Sequence, residues 1–212
     1  MTAIFKDREA WLTEAANLML DDIIMPMVDV WNEKRPQEQQ YDRPKFRISI
    51  GFPKHSRGGK SIAVCFVREA STDGVNEIFI NPEIDDPKAV MEAMAHELIH
   101  ACDDCASGHQ HFFALIARKI GLDGKLTATY AGDKLSRTLS EYAELLGEFP
   151  HAKMQMSKGH KKDKTRQLKV ECRNNDCGFL FRTSGAQRTK LGDSGQALCP
   201  ACNRGRLHWE AA

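Results

Sequence analysis

A chain of 212 residues, 42% of them hydrophobic and 28% charged, reads as an ordinary soluble protein with room for one main core and a small appendage. Its formal charge of +1 conceals an asymmetry: residues 1–150 hold 17 Lys and Arg against 24 Asp and Glu, a net −7, whereas residues 151–212 hold 13 against 5, a net +8. A membrane span is excluded, since Leu18-Met19-Leu20 runs at once into Asp21-Asp22, and the start from Met1 to Arg8 lacks the apolar stretch of a signal peptide.

Trp11, Ala15, Leu18, Ile23 and Met27 recur at near-helical spacing between Asp7 and about Val30, which predicts an amphipathic helix that Pro26 kinks or ends. Trp31 to Pro44 is polar and proline-flanked, and reads as a loop. Phe46, Ile48, Ile50 and Phe52 alternate with smaller or polar residues, the pattern of a strand with one buried face. Ser61–Val67 and Glu77–Ile80 give two more strands with no helical pattern between them, so an antiparallel sheet is expected. The basic turn Lys54-His55-Ser56-Arg57-Gly58-Gly59-Lys60 reads as a hairpin tip, with a phosphate-backbone contact as the alternative. Cys65, inside an apolar strand, reads as a small buried residue.

Asp86-Pro87 forms a helix N-cap followed by proline at the first helical position, and nothing from Ala89 to His96 breaks the helix. The helix carries His96-Glu97-Leu98-Ile99-His100. Residues four apart share a helix face, so both imidazoles can point at one ion, and Glu97 beside them can take a proton from water. This is the H-E-x-x-H arrangement of zinc peptidases. Composition alone predicts about 0.02 such matches in the chain, so chance is a poor explanation. A catalytic zinc usually takes three protein ligands. After an apparent reversal at Ala106-Ser107-Gly108, either His109 or His111 can fold back to supply the third.

Phe79-Ile80-Asn81-Pro82-Glu83-Ile84, the stretch from Ala95 through H-E-x-x-H to Ala101, then Gly108-His109, Phe113 and Ile120-Gly121-Leu122, together resemble the SprT-like metalloprotease domain of the Spartan family. In that family a third histidine follows across a short loop, within Gly-His-Gly-x-x-Phe. Here the match reads Gly108-His109-Gln110-His111-Phe112-Phe113, with Gln110 in place of the second glycine. Register against Phe113 selects His109 as the third ligand and leaves His111 beside the site or in solvent. The longer spacing from His100 rejects the metzincin pattern. The resemblance implies a zincin-like α+β domain, a small antiparallel sheet with active-site helices, whose substrates are proteins bound or crosslinked to DNA and whose activity DNA switches on.

Cys102 points to another helix face than His100, so it and Cys105 read as structural thiols. Asp104, at i+4 from His100, is a candidate to orient that ring. Phe112–Ile120 predicts a second helix closed by Gly121, and Leu135, Leu139, Tyr142 and Leu146 a third, capped near Asp133 and stopped by Pro150. Tyr130 between them is a candidate oxyanion donor, with packing as the plainer role.

Residues 151–167, rich in lysine and poor in large apolar residues, read as a basic flexible linker between a domain at 1–150 and a module at 168–212. In that module Cys172 and Cys177, then Cys199 and Cys202, form two pairs at zinc-ribbon spacing: four thiolates close a structural site with no open position. Seven cysteines, four of them in these closely spaced pairs, fit metal binding in a reducing compartment, a cytoplasm, and the compact layout suits a bacterial or phage protein. A module so small needs its metal to fold. Arg173, Arg182, Arg188, Lys190, Arg204 and Arg206, with Phe179 and Phe181, offer basic and aromatic surface for single-stranded DNA. A solvated basic face is the bland alternative.

The sequence therefore points to peptide hydrolysis with two zincs, one catalytic on His96, His100 and His109 and one structural, with Glu97 as general base. DNA and protein substrates are the expected partners. A non-proteolytic, zinc-containing nucleic-acid-binding or transcription-associated protein, or an adaptor that binds protein partners through its ribbon, is the alternative.

Overall fold

The structure is a computed structural model that describes residues 5–52, 61–155 and 167–209. It is mixed α/β with small sheets and divides into two compact units, Met1–Met156 and Ser157–Ala212. Among the described residues no helix is long and apolar enough to cross a membrane.

Asp7 starts the first helix, α1 (Arg8–Met19), by accepting a hydrogen bond from the Ala10 amide at 2.8 Å. Its inner face is fully buried at Trp11, Leu12, Ala15, Ala16 and Met19. The expected disturbance at Pro26 takes a particular form. A π-helical turn, Leu20–Ile24, precedes α2 (Met25–Asn32), which opens with the proline in its first turn. Proline offers no N–H and crowds the carbonyl four residues back, and a widened turn ahead of it accommodates both demands without ending the helix.

The first sheet consists of β1 (Phe46–Ile50), β2 (Ala63–Phe66) and β3 (Asn76–Ile80), in the order β1-β3-β2. It is not wholly antiparallel. β2 runs antiparallel to β3, but β1 runs parallel to it, with Ile48 opposite Ile78. The strand with the most buried face, carrying Asn76, Ile78 and Ile80, takes the centre. β2 thereby becomes part of the crossover joining two parallel strands, a task usually given to a helix. β1 and β2 are not neighbours, so their connection is not a hairpin; the basic turn at 54–60 lies outside the described residues.

Against this sheet packs α3 (Pro87–Cys102), capped by the Asp86 carboxylate on the Ala89 amide at 2.8 Å. It is buried on most sides, with Val90, Met91, Met94, Leu98 and Ile99 in the core, as befits a central helix. A turn carries the chain to α4 (His111–Ile120), which Gly121 closes in the left-handed conformation at φ 96°. A short hairpin follows, β4 (Leu122–Lys125) and β5 (Ala128–Ala131), in a stretch without apolar alternation. Then α5 (Asp133–Leu146) begins from Gly132 rather than Asp133, and ends at Gly147, three residues before Pro150. Residues after it stay with this unit: the Met154 amide and His151 Nε2 both bond the Pro82 carbonyl, at 2.8 and 3.0 Å. The remainder of the expected linker, 156–166, lies outside the described residues.

The second unit pairs β6 (Leu168–Cys172) with β7 (Leu180–Thr183) on one side and β8 (Leu207–His208) on the other, all antiparallel. A short helix, α6 (Gly185–Thr189), follows β7. Its apolar centre consists of Val170, Cys199 and Leu207, with Phe179, Phe181 and Trp209 partly buried against them.

Candidate metal centres

His96 and His100 lie one turn apart on α3, and the turn after this helix returns His109 to face them. Glycine at 108, with φ 53°, makes that reversal. His96 Nε2 stands 3.2 Å and His100 Nε2 3.3 Å from His109 Nε2. Tetrahedral nitrogens about 2.05 Å from an ion lie about 3.3 Å from one another, which both separations from His109 match, and the ligand atoms of all three rings lie within 4.8 Å of one another. Phe113 sets the rings from below, stacked on His100 with centroids 4.3 Å apart and 22° between planes, and tilted against His96 at 4.7 Å. The triad could hold a metal ion.

Electrostatics favour the same use. Burial, then the neighbouring His109, pushes the His96 pKa down to about 4; burial with His96 and His109 takes His100 down to about 3; burial also lowers His109. All three are neutral near pH 7, the form with a lone pair to give. Glu97, 8% exposed, turns toward β2, and burial raises its carboxyl to about 7 against the opposing bond with the Cys65 backbone.

A cleft of about 550 Å³ opens over these groups. β2 and the residues before it, Ser61–Cys65, form one wall, α3 the floor with Glu92, Ala93, His96 and Glu97, and Thr127–Thr129 the opposite side. β2 is an edge strand, so its outer backbone groups are not used within the sheet.

Several expected roles fall elsewhere. Asp104 does not orient His100; it accepts from the Arg68 amide at 2.7 Å and Asn76 Nδ2 at 2.9 Å, tying the end of α3 to the sheet. Its φ of 55° turns it away from the helical register that predicted the contact. Among the described residues, His100 Nδ1 is buried with no partner, as is Asp103 Oδ1. His111, the first residue of α4, is exposed. Tyr130, 56% exposed, lies over Gly124 and not in the cleft, because alternation on β5 sends it away from Thr129. Thr129, which the sequence reading missed, bonds His96 Nδ1 at 2.8 Å. Only an early assignment of the hairpin would have exposed it. Cys65 is half-buried in the cleft wall rather than in the core, near the Cys105 thiol, whose Sγ is 3.8 Å from the Cys65 carbonyl. Cys102 is buried, and burial pushes its thiol up to about 12.

In the second unit Cys172 closes β6, Cys177 follows a turn, and Cys199 and Cys202 bracket the other knuckle. The sulfurs of Cys172 and Cys202 are 3.8 Å apart and those of Cys177 and Cys199 3.7 Å, close to the edge of about 3.8 Å that a tetrahedron with metal–sulfur bonds of about 2.3 Å requires. Backbone amides address the sulfurs, Asn174 to Cys172 at 3.4 Å and Gly205 to Cys202 at 3.3 Å. The amides of Gly205 and Arg204 hold the Cys202 thiol down to about 6. A Cβ on Gly205 would stand 2.3 Å from Cys172 Sγ, so the knuckle closes only around glycine. The four thiols could hold a metal ion.

Arg173, Arg182, Lys190, Arg204 and Arg206 are exposed, while Arg188 is half-buried. Arg206 is engaged with the Gln196 carbonyl. Phe179 and Phe181 pack on the small core, which leaves each with only part of its ring for stacking. Set against known proteins, the chain matches no family model, no curated protein and no solved structure.

Proposed function

We propose that the chain is a zinc-dependent endopeptidase of the SprT-like type, working in a reducing cytoplasm on proteins bound or crosslinked to DNA. The observation that carries this reading is the joint placement of three neutral, converging imidazoles and the buried Glu97 carboxyl in one cleft walled by an edge strand. His96, His100 and His109 would hold a catalytic zinc, and Cys172, Cys177, Cys199 and Cys202 a structural one. When bound at the triad, the ion supplies Lewis acidity, polarising a carbonyl and making water easier to deprotonate. Glu97 accepts the proton of the attacking water and returns it to the departing nitrogen. Its raised pKa suits both steps, since a group poised near neutrality gives up a proton as readily as it takes one.

β2, an edge strand that walls the cleft, suits an extended polypeptide, which would lie alongside it and lay its backbone across the histidines. The linker and ribbon together contribute charge. Residues 151–212 hold 13 Lys and Arg against 5 Asp and Glu, and exposed Arg173, Arg182, Lys190 and Arg204 give single-stranded DNA phosphates a counter-surface.

The test is cleavage of a protein crosslinked to single-stranded DNA, compared with the same protein free and with the chain stripped of metal. Cleavage of the crosslinked form, lost on stripping, supports the reading. Two bound zincs with no cleavage of either substrate would move the assignment to a nucleic-acid-binding module.

A further inference from the structure

Among the three imidazoles, His96 has a feature that its sequence neighbours do not supply: its second ring nitrogen is bonded from the β4–β5 hairpin. Thr129 Oγ1 lies 2.8 Å from His96 Nδ1, while His96 Nε2 faces His109 at 3.2 Å. A neutral imidazole has one N–H and one lone pair. If Nε2 is to give its lone pair toward the point shared with the other two rings, the proton belongs on Nδ1, and the hydroxyl oxygen is placed to accept it.

We infer that Thr129 is a positioning residue of the triad, holding His96 in the Nδ1–H tautomer and fixing the rotation of its ring; this rests on the metal-centre reading above. The hairpin is built to present it. Gly124 sits opposite Thr129 in the register, with φ 81° and the Tyr130 ring against it where a Cβ would stand only 2.8 Å from that ring. Tyr130 thus occupies one face of β5 and leaves Thr129 on the other, toward α3. His100 is held differently, by its stack on Phe113, with Nδ1 buried and without a partner among the described residues. Partners of this kind orient metal-binding histidines, and a neutral hydroxyl in place of a carboxylate adds orientation without adding negative charge.

The test uses the full chain with Thr129→Val, which keeps the shape and removes the acceptor, and Thr129→Ser, which keeps the acceptor. Two readouts are taken: zinc affinity of the triad by chelator competition, and the ring ¹⁵N shifts of His96 with the triad metal removed. The expected result is a loss of triad affinity of about 10–100-fold in Thr129→Val, near wild-type affinity in Thr129→Ser, and a His96 ring that mixes tautomers only in the valine variant. Unchanged affinity and an unchanged Nδ1–H signature in Thr129→Val would overturn the role of Thr129 and leave the metal centre standing. A wild-type chain that takes zinc at the ribbon alone would overturn the metal centre, and the positioning role with it.

Discussion

The Cys65 backbone on the edge strand favours the charged form of the Glu97 carboxyl, so the strand that walls the cleft also bears on the group at its floor. Two elements far apart in sequence therefore set the charge of one side chain, and a displacement of β2 would be felt at Glu97. The same carboxyl is raised to about 7 chiefly by burial.

That burial has a consequence for stability once the triad metal is stripped. Between pH 4.5 and about 7 the folded chain keeps a proton on Glu97 that the unfolded chain releases, so this group's contribution falls as pH rises, by about 3 kcal/mol in all. His96 and His100, depressed to about 4 and 3, act in the opposite sense, adding stability as pH rises toward 6.5. Comparing Glu97→Gln with wild type cancels the histidines. Urea unfolding of the stripped chains should show the variant gaining about 3 kcal/mol on wild type between pH 4.5 and pH 8; a pH-independent difference would contradict the burial of the charge.

His109 and His111 are separated by one residue and by their roles. His109→Ala should reduce bound zinc from two per chain to one, whereas His111→Ala, at an exposed position, should leave two. Metal analysis of the purified variants decides this, and loss of zinc from His111→Ala would reverse the assignment.

In the ribbon, Gly205→Ala places a methyl carbon against the Cys172 sulfur. The expected outcome is loss of the ribbon zinc and of protection for Val170 and Leu207, since the small core has little else to hold it. Amide exchange before and after the substitution reads this directly. Protection that survives would mean the unit folds without its metal.

Asp104→Ala should cost about 1 kcal/mol of stability, because it removes the bonds from the solvent-facing Arg68 amide and from one N–H of Asn76, which keeps its bond to the Phe66 carbonyl. Triad zinc affinity should stay at the wild-type value, which equilibrium unfolding and chelator competition measure separately. A fall in affinity with unchanged stability would restore Asp104 to the role of orienting His100.

How much of this was legible in the sequence depends on the range of each interaction. Asp86-Pro87 predicted where α3 begins because capping is local, and the four-residue spacing of His96 and His100 followed from helical geometry alone. The four ribbon cysteines were readable from spacing, and the structure brings their sulfurs together. Sheet order was not readable: that β3 inserts between β1 and β2 depends on which strand is most buried, and the strand patterns carry no pairing information. The β4–β5 hairpin escaped because Leu122-Asp-Gly-Lys and Ala128-Thr-Tyr-Ala show little apolar alternation, and with it went Thr129. Asp104 was misplaced because the helix ends at Cys102 and a left-handed residue breaks the register.

Proteolysis by Glu97→Gln at full metal loading isolates the role of that carboxyl. Wild type and variant alike should hold about two zincs per chain, with the rate of cleavage of a DNA-bound protein falling by about 10²–10⁴-fold in the variant. Cleavage at the wild-type rate by a fully loaded Glu97→Gln chain would contradict that role.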